Sequence, residues 1–238
     1  MGVAIVVLLL AVAGLRQLAR ARTVQVFGRL VDRVETAEMR VALSFDDGPA
    51  PAAIDSILSV LGERRVRATF FINGAPAAEH PGLAAQLVSS GHELGNHTWS
   101  HRRMVMRRQA FYRDEVVRTD SLIRAAGHQG PIYFRPPYGY KLFGLPWLLQ
   151  RTGRTTVTWD IEPDSYSEVA ATSEGIVLHV LERVRPGSII ILHAWFPSRA
   201  TSLAAIGPLV DSLHARGYRV GTVRDLLGPQ HRLAQPGR

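Results

Sequence analysis

Apolar residues along this 238-residue chain gather into short blocks, separated by longer stretches of helical period. The blocks at 41–45 (VALSF), 66–72 (VRATFFI), 92–95, 131–135 (PIYFR), 155–159 (TTVTW), 188–193 (SIIILH) and 218–222 predict strands. The stretches 52–63, 81–90, 109–126, 143–151, 173–184 and 202–216 predict helices. Glycines 62, 91, 127, 153, 187 and 217 fall near helix ends, where a left-handed cap favours glycine. Strand–helix alternation predicts a parallel sheet, closed or open. The polar residues then stand out by position. Asp46 and Asp47 follow the first block, Asn96 and His97 the third, Arg135 the fourth, Trp159 and Asp160 the fifth, and His193 the sixth. In a parallel sheet these strand ends share one face, where α/β proteins build their sites.

Residues 1–15, MGVAIVVLLLAVAGL, break this pattern: they carry no charge, and Arg16, Arg20 and Arg22 follow. As a helix the run spans about 22 Å, against about 30 Å of bilayer hydrocarbon. Ala11-Val12-Ala13 resembles a small-residue cleavage site, yet no Lys or Arg precedes the run. The reading is export or attachment to the cell envelope, with arginines after the run favouring a cytoplasmic side for an uncleaved anchor. Residues 1–22 are expected to be a signal peptide or anchor, 23–39 a linker, 40–228 the main domain and 229–238 a tail.

Composition narrows the partners. The chain is 46% hydrophobic and 20% charged, which is ordinary for a globular protein. Lys and Arg total 28 against 20 Asp and Glu, a formal net charge of +8. The basic residues are scattered and not interleaved with aromatics in one stripe, which argues against nucleic acid. Anionic lipid or an anionic wall polymer suits the charge as well. The chain has no cysteine, so disulfides, thiolate ligands and a cysteine nucleophile are excluded, and any metal is held by His and carboxylate.

The stretch VALSFDDGPAP, residues 41–51, delivers two adjacent carboxylates into a turn. Such a pair repels itself unless a positive partner sits beside it. GNHTWSH, residues 95–101, offers one: on a helical turn His97 and His101 share a face and suit a divalent cation, zinc being usual. One Asp with two His leaves coordination positions open, as in catalytic sites. His92 and Glu93 do not complete a zinc-protease motif, because His97 stands five residues after His92 where that motif requires four. No nucleophile elbow or phosphate-binding loop is present.

Taken in order, SFDDGP, ATFFINGAPAAEHP, GHELGNHTWSH, FRPPYG, WDIEPDSY and IILHAW resemble the polysaccharide deacetylases, the NodB-homology family of carbohydrate esterases, from about Val41 to Leu227. The resemblance implies an α/β fold, a distorted (β/α) barrel of about seven or eight mostly parallel strands. It implies metal-dependent removal of acetyl groups from N-acetylated carbohydrate. Carried over by residue, Asp46 resembles the general base, and Asp47, His97 and His101 the metal ligands. Arg135 resembles the arginine that pairs with the base, and His193 the general acid. Tyr138 resembles the residue whose N–H helps hold the oxyanion, and Leu192 the lining of the acetyl-methyl pocket. Trp159 is read either as a wall of the sugar groove or as a core residue. The metal is expected to be zinc, with cobalt, nickel or manganese as alternatives.

One motif departs from the family. Where many members have Asp followed by Trp, this chain has Ser165 and Tyr166, so the acid that orients His193 is left open among Asp160, Glu162 and Asp164. That departure allows a rival, a carbohydrate-binding protein of the same fold without turnover. A deformylase or deacetylase of a lipid-linked amino sugar, and an O-acetyl esterase, are further variants. His80, His92, His128, His179, His214 and His231 receive no role.

Overall fold

The computed structural model describes residues 2–228, so the expected tail 229–238 lies outside the described residues. In chain order the elements are α1 (Gly2–Arg20), β1 (Leu30–Val31), β2 (Arg40–Gly48), α2 (Ile54–Glu63), β3 (Thr69–Ile72), α3 (Gly74–Glu79), α4 (Pro81–Ser89), β4 (Glu93–Asn96) and α5 (Gln109–Ala125). A 3₁₀ turn (Pro137–Gly139), α6 (Gly144–Arg151), β5 (Thr156–Val157), α7 (Ser173–Arg183), β6 (Ile189–Leu192), a second 3₁₀ turn (Pro197–Arg199), α8 (Ala200–Ala215), β7 (Arg219–Gly221) and α9 (Val223–Leu227) complete the fold.

β2 is the hub. It pairs in parallel with β3, β6 and β7, and β3 pairs with β4. Isolated parallel bridges Asn96↔Phe134, Phe134↔Thr156 and Ile161↔Ile190 carry the pairing on from β4, past β5, to β6. The result is the expected α/β fold of mostly parallel strands, curved toward a barrel that regular strands do not close, with irregular stretches in place of some strands. The block 131–135 shows why. It contributes a single bridging residue, Phe134, because Pro131 precedes it and Pro136 and Pro137 follow, and none can donate to a ladder.

Parallel strands are buried on both faces, so Val41–Phe45 of β2 are fully buried and their side chains alternate between two cores. Val41, Leu43 and Phe45 pack with Ile57 and Leu61 of α2 and Leu209 and Leu213 of α8. Ala42 faces the barrel interior, with Phe71, Val157, Trp159, Ile189 and Ile191.

The segment 23–39, expected as a linker, is packed onto the domain. Leu30–Val31 pair with β5, and the Val34 N–H donates to the Gly187 carbonyl at 2.9 Å. Gly187 is required there: its φ is +87°, and a Cβ would lie 1.7 Å from the Val34 carbonyl oxygen. α1 stands out from the domain with only Ala19 buried, and its 19 residues have a mean hydropathy of 2.2 over the most apolar window, enough by length and composition to cross a membrane. Its C-terminal end is fixed. The Lys141 N–H donates to the Ala19 carbonyl at 2.8 Å, the Lys141 ammonium to the Ala21 carbonyl, and the Thr158 hydroxyl to the Arg22 carbonyl at 2.6 Å.

Candidate active site and metal centre

The two acids that end β2 diverge. The ladder with β3 shifts register between Asp46 and Gly48, and Asp47 takes a left-handed φ of 72°, which Asp tolerates better than most residues. Asp46 therefore turns inward, 1% exposed, while Asp47 turns to the mouth of the barrel. Gly48 lets the chain pass over Trp195, since a Cβ there would meet the indole at 2.0 Å.

His97 closes β4. Its Nδ1 lies 2.8 Å from the Arg135 carbonyl, which only accepts, so Nδ1 carries the proton and Nε2 keeps its lone pair. That Nε2 is 3.4 Å from Asp47 Oδ1, and His101 Nε2 is 3.1 Å from the same oxygen. The two histidines do not share a helical turn, as their spacing suggested. Residues 97–101 form a loop in which Thr98 and His101 have φ of 73° and 55°. The loop is held by hydrogen bonds to side chains and to α3. The Ser100 N–H and hydroxyl donate to Glu115 at 2.8 and 2.6 Å, and the Gly74 N–H donates to the Thr98 carbonyl at 3.0 Å.

Ligating atoms of Asp47, His97 and His101 lie within 4.8 Å of one another. Asp47 Oδ1 is buried and makes no hydrogen bond, although two imidazole nitrogens flank it. Donor atoms about 2.1 Å from a shared cation stand about 3.0–3.4 Å apart, so these residues fit a divalent ion. Burial alone would raise the Asp47 carboxyl, but His101 and His97 outweigh it and hold the group well below the usual carboxylate range.

Arg135 is 0% exposed, so it is no surface salt bridge. Its Nη1 donates to Asp46 Oδ1 at 2.7 Å and to the Ser44 hydroxyl at 2.9 Å. Nε and Nη2 donate to the Val157 and Thr158 carbonyls at 3.2 and 3.0 Å, and the guanidinium lies 3.9 Å from the Phe71 ring centroid. Asp46 Oδ2 stays on the metal side, 3.5 Å from His97 Nε2.

The acid beside His193 is Asp164. Its Oδ1 is 3.0 Å from His193 Nδ1, and its Oδ2 accepts from the His193 N–H at 2.6 Å and from the Ser202 hydroxyl at 2.9 Å. Burial opposes a charge on His193, but the hydrogen bond and charge of Asp164, with Asp46 and Asp47 beyond, raise it to about 9. Asp160 instead binds Ser188 and the Ile189 N–H, and Glu162 binds Trp159 and Ser165. Sequence order could not separate the three acids. What distinguishes Asp164 is contact with β6 and with α8 beyond it.

Tyr138 takes φ 57° in the first 3₁₀ turn, and its ring lies 4.7 Å from that of His101. Leu192 is fully buried at the end of β6, paired with Phe45, immediately before His193. Trp159 is 6% exposed and lies between the Arg22 and Arg135 guanidiniums at 5.8 and 5.5 Å, so it is chiefly a core residue.

The sequence profile of the polysaccharide deacetylases matches residues 33–157, which include Asp46, Asp47, both histidines, Arg135 and Tyr138. This chain belongs to the polysaccharide deacetylase family. A chitooligosaccharide deacetylase of Sinorhizobium fredii is 35% identical over 201 residues, covering 80% of this polysaccharide deacetylase and 93% of the relative. A peptidoglycan-N-acetylglucosamine deacetylase of Bacillus cereus is 30% identical over 204 residues, 86% and 95% of the two chains. The crystal structure of a peptidoglycan N-acetylglucosamine deacetylase in complex with a naphthyl N-hydroxybenzamide superposes with a TM-score of 0.78 at 27% identity, covering 83% and 92% of the chains.

Proposed function

We propose that this chain is a metal-dependent hydrolase that removes N-acetyl groups from amino-sugar oligosaccharides or polysaccharides of the cell envelope and releases acetate. The observation that carries the reading is the buried, unbonded Asp47 Oδ1 between two imidazole nitrogens, beside a second, arginine-paired carboxylate. Asp47, His97 and His101 are assigned as ligands of a divalent cation. Zinc suits two imidazoles and a carboxylate, and cobalt, nickel or manganese accept the same donors. Such a cation, when bound, polarises an amide carbonyl and makes water a stronger acid.

The remaining work falls to side chains. Asp46 takes the proton of the attacking water as the C–O bond forms. The Tyr138 N–H donates to the developing oxyanion. As the C–N bond breaks, His193 gives its proton to the departing nitrogen, so that an amine leaves. Arg135 and Asp164 are positioning residues for the base and the acid. Leu192 lines the recess for the acetyl methyl. One amide and one water thus become one acetate and one ammonium group. The relatives named for chitooligosaccharide and peptidoglycan support an N-acetylglucosamine unit as the substrate.

The test is acetate release from N-acetylglucosamine oligomers by zinc-loaded protein, with Asp46→Asn alongside. Release that the substitution abolishes is expected. Oligomer binding with no release by the unaltered chain would make it a carbohydrate-binding protein. A second reading, a lipid-linked amino sugar as substrate, is favoured by the docking of α1 beside the Tyr138 turn. Formate or acetate release from a lipid-linked substrate would select it.

A further inference from the structure

We propose that the face carrying this site rests on an anionic lipid bilayer, with the loop 102–108 lying in the headgroup layer. The loop reads RRMVMRR, and all four arginines are exposed. Arg102, Arg103, Arg107 and Arg108 form no ion pair among the described residues. Met104 is buried and anchors the loop, whereas Met106 is 92% exposed at its tip. The Arg102 and Arg107 guanidiniums each lie 5.4 Å from the Phe111 ring centroid. An apolar tip among arginines that no carboxylate neutralises complements a surface that is apolar below and negative above.

The loop is joined to the end of α1. Arg103 lies 5.7 Å from the Tyr138 ring and 5.1 Å from the Tyr140 ring, and Arg20 of α1 lies 5.6 Å from the same Tyr140 ring. The next residue, Lys141, holds the Ala19 and Ala21 carbonyls. Phe143 and Trp147 add exposed aromatic surface, and Gln109 Nε2 ties the start of α5 to the Gly144 carbonyl beside them at 3.2 Å. Aromatic and arginine side chains are typical of the membrane interface.

The spacing leaves no slack. From Leu15, the last residue of the uncharged run, to Ala19, the first buried one, is four residues of one continuous helix, about 6 Å of rise. One headgroup layer is about 5–7 Å thick. A bilayer holding α1 therefore meets the Tyr138–Tyr140 turn and the loop at its surface. Arg20 of α1 and the arginines of the loop, far apart in the chain, meet at this mouth.

The chain has no cysteine, so Met106→Cys gives a single site for a nitroxide label. The full chain is reconstituted in vesicles of phosphatidylcholine alone or with about one-third phosphatidylglycerol. Accessibility to an aqueous nickel chelate is compared with that of a label at Leu178→Cys on α7, 51% exposed. In the anionic vesicles the label at 106 is expected to be protected about fivefold or more relative to 178. With α1 inserted in each case, protection should fall at least about twofold in pure phosphatidylcholine and in the triple change Arg102→Glu, Arg107→Glu, Arg108→Glu, which remove the charge attraction and leave only the tether. A label at 106 as accessible as that at 178 in anionic vesicles overturns the proposal. So does protection in detergent micelles that rises with protein concentration, which would put a second copy on the loop. The readout needs no turnover, so its failure is distinct from failure of the deacetylase reading.

Discussion

Asp46→Asn tests the buried pair without changing its shape. Asn keeps an oxygen where Asp46 Oδ1 accepts from Arg135, so the hydrogen bond at 2.7 Å can persist while the negative charge is lost. Arg135 is fully buried and cannot shed its proton at ordinary pH. Removing one partner of a buried ion pair costs about 3–5 kcal/mol. Arg135 retains the Ser44 hydroxyl and the Val157 and Thr158 carbonyls, so the lower end, about 3 kcal/mol, is expected. In a domain of this size 1 kcal/mol moves Tm by about 2–4 °C, which gives a fall of about 6–12 °C. The assay is thermal unfolding in the presence of a chelator, so that metal affinity does not enter. Adding Arg135→Met should recover at least about half of the loss, because an apolar side chain carries no unpaired charge. A fall of less than about 2 °C for Asp46→Asn would refute the claim that this carboxylate neutralises the guanidinium.

Other substitutions separate the remaining parts. His97→Ala removes one of the three proposed ligands, and elemental analysis after dialysis should show metal at background where the unaltered chain holds about one ion. Asp164→Asn removes the charge that raises His193. A general acid must be protonated, so the rate falls as pH rises through its pKa. That falling limb should move to lower pH by about 1–2 units in Asp164→Asn, and an unmoved limb would sink the pairing. Gly48→Ala places a methyl 2.0 Å from the Trp195 ring, which is 1% exposed. Overpacking of this kind costs about 1–3 kcal/mol, to be read as a lower Tm with altered near-ultraviolet circular dichroism from the displaced indole.

Much of the fold was legible because parallel strands are apolar blocks bounded by helices of clear period. The predicted helices 81–90, 109–126 and 173–184 stand at Pro81–Ser89, Gln109–Ala125 and Ser173–Arg183. Where prolines interrupt pairing, as around Phe134, an apolar block gives a bridge instead of a strand. The segment 23–39 looked like a linker because Leu30 and Val31 are too short a run to show a period. In the candidate site, Asp46, Asp47, His97, Arg135 and His193 could be singled out because each stands at or just past the end of an apolar block. His101 lies in a loop shaped by left-handed residues, and a spacing of four imitated a helical turn. Asp164 was the hardest to single out. It lies in an irregular segment, and only the tertiary approach of His193 and Ser202 sets it apart from Asp160 and Glu162.

β2, which pairs with three other strands, delivers both carboxylates from the most connected element of the sheet. The two carboxylates thus stand on the most fully paired strand, whereas the rim segments 102–108, 139–143 and 194–199 are loops and short turns. Remodelling the rim outside His101 and Tyr138 would change which glycan is admitted at little cost to the groups that cut the amide.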